Sequence, residues 1–315
     1  MSSEQPPAVP TFKLSDGNEI PVLSYGLGTA RFKRGGPNEP LDESIIEATV
    51  TALRNGYYHL DCAEVYNNEA EVGVAISRAG IPRSKLYITT KTSCNKGESI
   101  ALALDRSLQK LGTDYVDLYL IHSPFWAGDI SNPAERESAA KALQERWAEM
   151  EAAKASGKVR SIGVSNFLKE HLDAILETAK EKPVVNQIEF HPYLQHDPEG
   201  NGGLLAYLKE KGIVAEAYGP LTAVAKAAPG PLDGVYERIA AKHGVTPGDV
   251  ALRWAIDQGV VAVTTSAKDE RLKGWIKNVP SFELTKEEVE EIKVKGREKH
   301  FRGFWNNKFA DDDRR

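Results

Sequence analysis

The 315-residue chain is poor in sulfur, with two cysteines, Cys62 and Cys94, and two methionines. Two cysteines cannot build a disulfide framework, and a chain of this length can bury a large core without one. A reduced, cytoplasmic setting is the expectation. Long apolar runs are missing too. None approaches the roughly 18 residues a bilayer-spanning helix needs, so no membrane span is expected. Charge does not favour one sign strongly: 40 Lys+Arg face 45 Asp+Glu, a formal net charge of −5. That balance offers no basic footprint for nucleic acid or an anionic membrane. The opening MSSEQPPAVP lacks the basic end and apolar stretch of a secretory signal. It reads as a flexible tail (1–10) ahead of one domain (11–315).

What is present is ordinary globular composition, 41% hydrophobic and 27% charged. Short β-branched runs at 22–29, 58–63, 86–91, 116–122, 159–165, 184–190, 213–219 and 261–266 predict strands. They are nearly continuously apolar, as strands buried on both faces are. Helical spacing predicts helices at 42–55, 69–79, 99–111, 135–156, 169–181, 203–211, 246–258 and 269–277, several followed by a glycine stop such as Gly80, Gly112 and Gly212. Eight strands alternating with eight helices argue for an α/β protein with a parallel sheet. Closure into a (β/α)8 TIM barrel removes the sheet edges. The runner-up is a doubly wound open sheet, which wants a G-x-G-x-x-G turn. Gly26-Leu27-Gly28-Thr29-Ala30-Arg31 lacks the third glycine. Segments 11–14 and 19–21 flank Ser15-Asp16-Gly17-Asn18, the signal of a β-hairpin placed to plug the barrel floor. Extra helices near 232–243 and 286–295, and a C-terminal tail, stand outside the eightfold pattern.

Barrel chemistry sits at the C-terminal ends of strands. Asp61 ends the second strand with Tyr66 just beyond, Lys91 ends the third and His122 the fourth. Taken singly, each has an ordinary explanation as an ion pair, a packing ring or a satisfied histidine. Together they suit carbonyl reduction. Hydride addition to a carbonyl carbon builds negative charge on its oxygen, and a phenol of pKa about 10 can protonate an alkoxide. The Lys91 ammonium favours the phenolate and so lowers the Tyr66 pKa, with Asp61 holding Lys91 charged. His122 can give the oxygen a second hydrogen bond.

These residues carry a resemblance to the aldo-keto reductase superfamily that spans nearly the whole chain. It rests on Gly26-Leu27-Gly28-Thr29, His59-Leu60-Asp61-Cys62-Ala63-Glu64-Val65-Tyr66, Ile88-Thr89-Thr90-Lys91, the run from Asp114 to His122, Gly163-Val164-Ser165-Asn166-Phe167 and Val185-Asn186-Gln187. The resemblance implies a (β/α)8 barrel with the tail over the active site, and an extended nicotinamide dinucleotide, NADPH with NADH as a secondary cofactor. It assigns Tyr66 as proton donor, with Asp61, Lys91 and His122 around it. It places Gly28 and Thr29 at the cofactor and gives Ser165, Asn166 and Gln187 the nicotinamide carboxamide. Tyr218 takes the ring face, and Gly219, Pro220 and Leu221 the pyrophosphate. Thr265, Ser266, Ala267, Lys268 and Arg271 take the adenosine end, Arg271 as the bidentate phosphate group.

The chain departs from that pattern at Thr265, where many relatives have Lys, and at Gly219, where Ser or Cys is common. Ala30-Arg31 and Ser123 stand where relatives carry two pocket tryptophans. Trp126, Phe304 and Trp305 are then the candidates to refill the pocket. These features look most like a fungal subgroup reducing α-keto amides, ketopantoyl lactone and other conjugated dicarbonyls. The expected partner is a small-molecule carbonyl, the expected state a monomer or weak dimer. Alternatives are an aldose-, xylose- or glycerol-type reductase, a Schiff-base lyase using Lys91, and a non-catalytic cofactor-binding subunit. His191, His196, Asp197 and Glu199 fit no common metal-ligand spacing and read as a solvated loop, so no metal is expected.

Overall fold

The computed structural model describes residues 8–34, 39–95, 97–197 and 200–315. Eight parallel strands close on themselves: β3 (Leu23–Gly26), β4 (His59–Asp61), β5 (Tyr87–Thr92), β6 (Val116–Ile121), β7 (Val159–Ser165), β8 (Val185–Glu189), β9 (Val214–Tyr218) and β10 (Val260–Thr264). They run in chain order and β10 pairs back onto β3, so the sheet has no edge and the open doubly wound alternative is excluded. Between them lie α1 (Glu43–Arg54), α2 (Glu69–Ala79), α3 (Ile100–Leu111), α4 (Arg136–Ala155), α5 (Lys169–Leu176), α6 (Gly203–Lys211), α7 (Asp233–His243) and α8 (Pro247–Ile256). After β10 come α9 (Asp269–Asn278) and α10 (Lys286–Gly296). The eightfold register follows from local signals. Ser99 and Thr246 cap α3 and α8 through their hydroxyls, and Gly80, Gly112 and Gly212 end α2, α3 and α6 in the left-handed conformation.

Ahead of the barrel, β1 (Thr11–Lys13) and β2 (Glu19–Pro21) form the expected antiparallel hairpin. Leu14 and Ile20 pack with Leu118, Leu120, Val185 and Val261, an apolar plug at the floor. At the end of the expected tail, two residues are tied to the barrel. Val9 packs on the core and the Pro10 carbonyl accepts from the Val22 N–H at 2.9 Å; residues 1–7 lie outside the described residues. One helix also differs. The spacing predicts 169–181, yet α5 stops at Leu176 because α4 takes over the backbone beyond it. Glu151 accepts the N–H groups of Lys180 and Glu181, and the Trp147 indole donates to the Glu181 carbonyl. No described helix is long and apolar enough to cross a membrane.

Candidate active site

Period-two alternation turns His59 and Asp61 of β4, Lys91 of β5, Gln187 of β8 and Glu216 of β9 into the barrel interior. All are buried. The Lys91 ammonium donates to Asp61 Oδ1 at 2.8 Å, to the Cys62 carbonyl at 2.7 Å and to the Tyr66 hydroxyl at 3.3 Å. Its three hydrogens are thereby all placed. The Tyr66 ring meets His122 edge-on, with centroids 5.6 Å apart. Gly28 has a steric role beside the one expected of it: a Cβ there would lie 2.9 Å from the Tyr66 ring.

Burial is the largest influence and works against the Lys91 charge, but Asp61, Tyr66 and Glu216 together outweigh it and the pKa ends above its ordinary value. For Tyr66 the order is reversed from the sequence expectation. Burial pushes the phenol up, and Lys91 pulls it back only in part. Tyr66 is therefore protonated throughout the neutral range, as a proton donor must be. Burial, with Lys91 nearby, lowers His122 to about 3, so its ring is neutral and donates from one nitrogen only.

Tyr66 and His122 open into a cavity of about 610 Å³. Gly28, Thr29, Asp61, Ser165, Asn166, Gln187, Tyr218, Gly219, Pro220, Leu221, Thr265, Arg271 and Trp305, all among the expected site residues, line it. Asn166 is already engaged: its amide donates to the His122 carbonyl and Ser165 Oγ, and its Oδ1 accepts from Tyr218 at 2.6 Å. Gln187 gives one amide hydrogen to Asp61 and the other to Glu216, at 2.8 and 2.9 Å. Thr29, Asn166 and Trp305 hold φ of 41°, 63° and 61°, left-handed values clustered on this wall. Gly219, where Ser or Cys is common in relatives, has φ 69°, a left-handed value that glycine adopts without strain.

Four of the expected cofactor and substrate residues stand outside the cavity lining. Ser266, Ala267 and Lys268 do not line the cavity; Ser266 Oγ caps the Lys268 N–H, and the Ser266 carbonyl accepts from Arg31. Trp126 packs under the Arg146 guanidinium, away from the cavity. The aromatic wall is built from Phe32, Phe304 and Trp305 instead, with Phe125 supporting Trp305 at 4.9 Å. Phe32, Arg34 and Lys226 were missed, since they sit in loops without a periodic signal.

The expected solvated loop at His191 and His196 is in fact buried. Both histidines brace Glu189: His191 Nε2 lies 3.1 Å from its carboxylate and His196 Nε2 2.6 Å from its carbonyl. Glu189 in turn accepts the Gly303 and Phe304 N–H groups at 2.8 and 3.1 Å, fixing the tail across the cavity. Glu199 lies outside the described residues, and no described cluster could hold a metal ion. A wider groove of about 830 Å³, lined by Leu14, Val214 and Gly259, contains none of the four polar groups at the mouth.

The Aldo/keto reductase family profile matches residues 25–297. An NAD/NADP-dependent indole-3-acetaldehyde reductase of Schizosaccharomyces pombe is 41% identical over 91% of this chain and 96% of its own. An NADPH-dependent alpha-keto amide reductase of Saccharomyces cerevisiae is 38% identical over 95% of each chain. A solved aldo-keto reductase of Bombyx mori in complex with NADP superposes with a TM-score of 0.75 at 31% identity, covering 91% of this chain and 92% of its own. With the closed barrel and the Asp61–Lys91–Tyr66–His122 group at its mouth, the match places this chain in the aldo/keto reductase family.

Proposed function

We propose that this protein reduces α-keto amides and related α-dicarbonyls, ketopantoyl lactone among them, to alcohols with NADPH. The observation that carries the reading is the Tyr66 hydroxyl, 3.3 Å from the ammonium of the buried Lys91–Asp61 pair, opening into a cavity whose lining includes three cations. The residues fit the dinucleotide. Arg34, Lys226 and Arg271 line the cavity, and none makes an ion pair among the described residues. Thr264 Oγ1 and Thr265 Oγ1 are buried there without a partner. Unpaired cations and orphaned hydroxyls suit phosphate oxygens. Arg271 and Thr265 would hold the adenosine end, the Gly219–Leu221 turn the pyrophosphate, and Gln187 and Tyr218 the nicotinamide.

NADPH supplies the hydride. Tyr66 delivers the proton to the carbonyl oxygen, and Lys91 stabilises the phenolate that remains. His122, neutral, donates to the same oxygen and orients the substrate. The Schiff-base alternative fails on Lys91 itself, which is charged and triply hydrogen-bonded and so has no free lone pair. The substrate class is supported by the keto amide reductase relative and by the apolar wall of Phe32, Phe304 and Trp305, which suits a flat conjugated carbonyl better than a sugar. The same wall favours an arylacetaldehyde as second reading, in line with the other fungal relative. Free, buried Cys62 and Cys94 support a cytoplasmic setting.

The direct test is loss of reduced-nicotinamide absorbance with keto amides, ketopantoyl lactone, an arylacetaldehyde and xylose. Highest kcat/KM for xylose would reject the substrate class, and no turnover of any carbonyl would reject the activity. Arg271→Ala is expected to weaken NADPH binding about 10- to 100-fold, the range for a hydrogen-bonded charge, and to leave NADH nearly untouched. Equal losses for both dinucleotides would place the 2′-phosphate elsewhere. Glu189→Gln keeps an acceptor for one of the tail's two N–H groups and sets its own NH2 against the other. A rise of about fivefold or more in keto amide KM is expected, with a much smaller change in kcat. Steady-state kinetics decide it, and an unaltered KM would show that the tail does not shape the pocket.

A further inference from the structure

Glu216 is a buried carboxyl inside the barrel that the mechanism above does not use. It pairs in register with Gln187 across β8 and β9, and its Oε2 accepts one of the two Gln187 amide hydrogens at 2.9 Å. Asp61 Oδ1 takes the other. Asp61 Oδ1 is also the oxygen that holds Lys91. A continuous chain of hydrogen bonds thus runs Glu216–Gln187–Asp61–Lys91–Tyr66. With both amide hydrogens committed, the Gln187 side chain can offer the cavity only its amide oxygen, Oε1.

We propose that Glu216 is a positioning residue for this reductase: it fixes the Gln187 amide as an acceptor toward the nicotinamide carboxamide, and its charge state sets how strongly Lys91 supports Tyr66. The inference rests on reading the cavity as a nicotinamide site. The groups facing Glu216 are Asp61 and His59 from β4, Lys91 and Tyr87 from β5 and Gln187 from β8. The adjoining β10 (Val260–Thr264) brings no titratable group. None of these is a counter-ion of its own. Lys91 belongs to Asp61, and His59, 3.7 Å away, is kept neutral by burial. Glu216 Oε1 is buried without a partner, the place for a proton.

Burial, reinforced by the Asp61 charge, raises the Glu216 pKa to about 8. Below that pH the carboxyl is neutral and Lys91 has one carboxylate to balance. Above it a second carboxylate acts on the same ammonium. The phenolate left after proton transfer then loses part of its support, and reduction slows.

The test compares wild type, Glu216→Gln and Glu216→Leu. NADPH affinity is read from tryptophan-fluorescence quenching, and single-turnover keto amide reduction is followed from about pH 6 to about pH 9.5. Glu216→Leu removes the acceptor and is expected to loosen NADPH about tenfold. Glu216→Gln keeps an acceptor oxygen and loosens it far less. The wild-type rate falls above about pH 8, and in Glu216→Gln that fall moves to higher pH. Glu216→Leu with wild-type NADPH affinity, or superimposable pH profiles for wild type and Glu216→Gln, would overturn the proposal. If Glu216→Leu does not fold, the two pH profiles still decide. Wild type that binds no NADPH would instead overturn the cofactor reading itself.

Discussion

Tyr66→Phe is expected to lower turnover of keto amides between about a hundredfold and ten-thousandfold, the range a positioned general acid contributes. Phenylalanine keeps the ring that packs edge-on against His122 and near Phe32, so the cavity retains its shape. What disappears is the hydroxyl at 3.3 Å from Lys91. Neither neighbour can replace it. Lys91 commits its other two hydrogens to Asp61 and the Cys62 carbonyl. His122 is neutral, and giving up its one proton would leave an imidazolate. NADPH titration of the variant should return an affinity within about threefold of wild type, since the cations and hydroxyls that suit the phosphates are untouched. Activity of wild-type size in Tyr66→Phe would remove the phenol from the mechanism.

Lys91→Met carries the second large effect, and it acts on stability and rate together. Asp61 is 3% exposed, and Lys91 is its ion-pair partner. Removing the ammonium leaves a buried carboxylate uncompensated, which costs about 3–5 kcal/mol. Denaturant unfolding should show that loss. Adding Asp61→Asn should restore much of it, because the buried charge goes as well, while turnover stays low in both variants for want of support to the phenolate. A single variant as stable as wild type would mean that water or another group already compensates Asp61. A double variant that regained activity would show the ammonium to be dispensable.

Much of this architecture was legible in the chain because its signals are local. The barrel strands are buried on both faces and read as unbroken apolar runs, and glycines such as Gly80 and Gly112 close helices where a left-handed residue is needed. Asp61, Lys91 and His122 were readable because they end such runs. What escaped depends on contacts distant in sequence. His191 and His196 look like a polar loop, and they are buried because Gly303 and Phe304 return more than a hundred residues later to dock on Glu189. The early end of α5 depends on Glu151 and Trp147 of another helix. Trp126 shares an aromatic loop with Phe125, yet only Phe125 reaches the tail, a choice made by packing against Arg146. The net direction of the Tyr66 pKa was also hidden, since sequence shows the neighbouring lysine but not the depth of burial that outweighs it.

The most direct measurement is a single turnover with NADPH deuterated at its transferable position, with the product analysed by mass spectrometry for wild type and Tyr66→Phe. For wild type the account predicts one deuterium on the new carbinol carbon, delivered quickly. For a Tyr66→Phe protein that still binds the cofactor, it predicts delivery slowed by at least about a hundredfold. Product carrying no deuterium on that carbon, or equal rates from the two proteins, would contradict it.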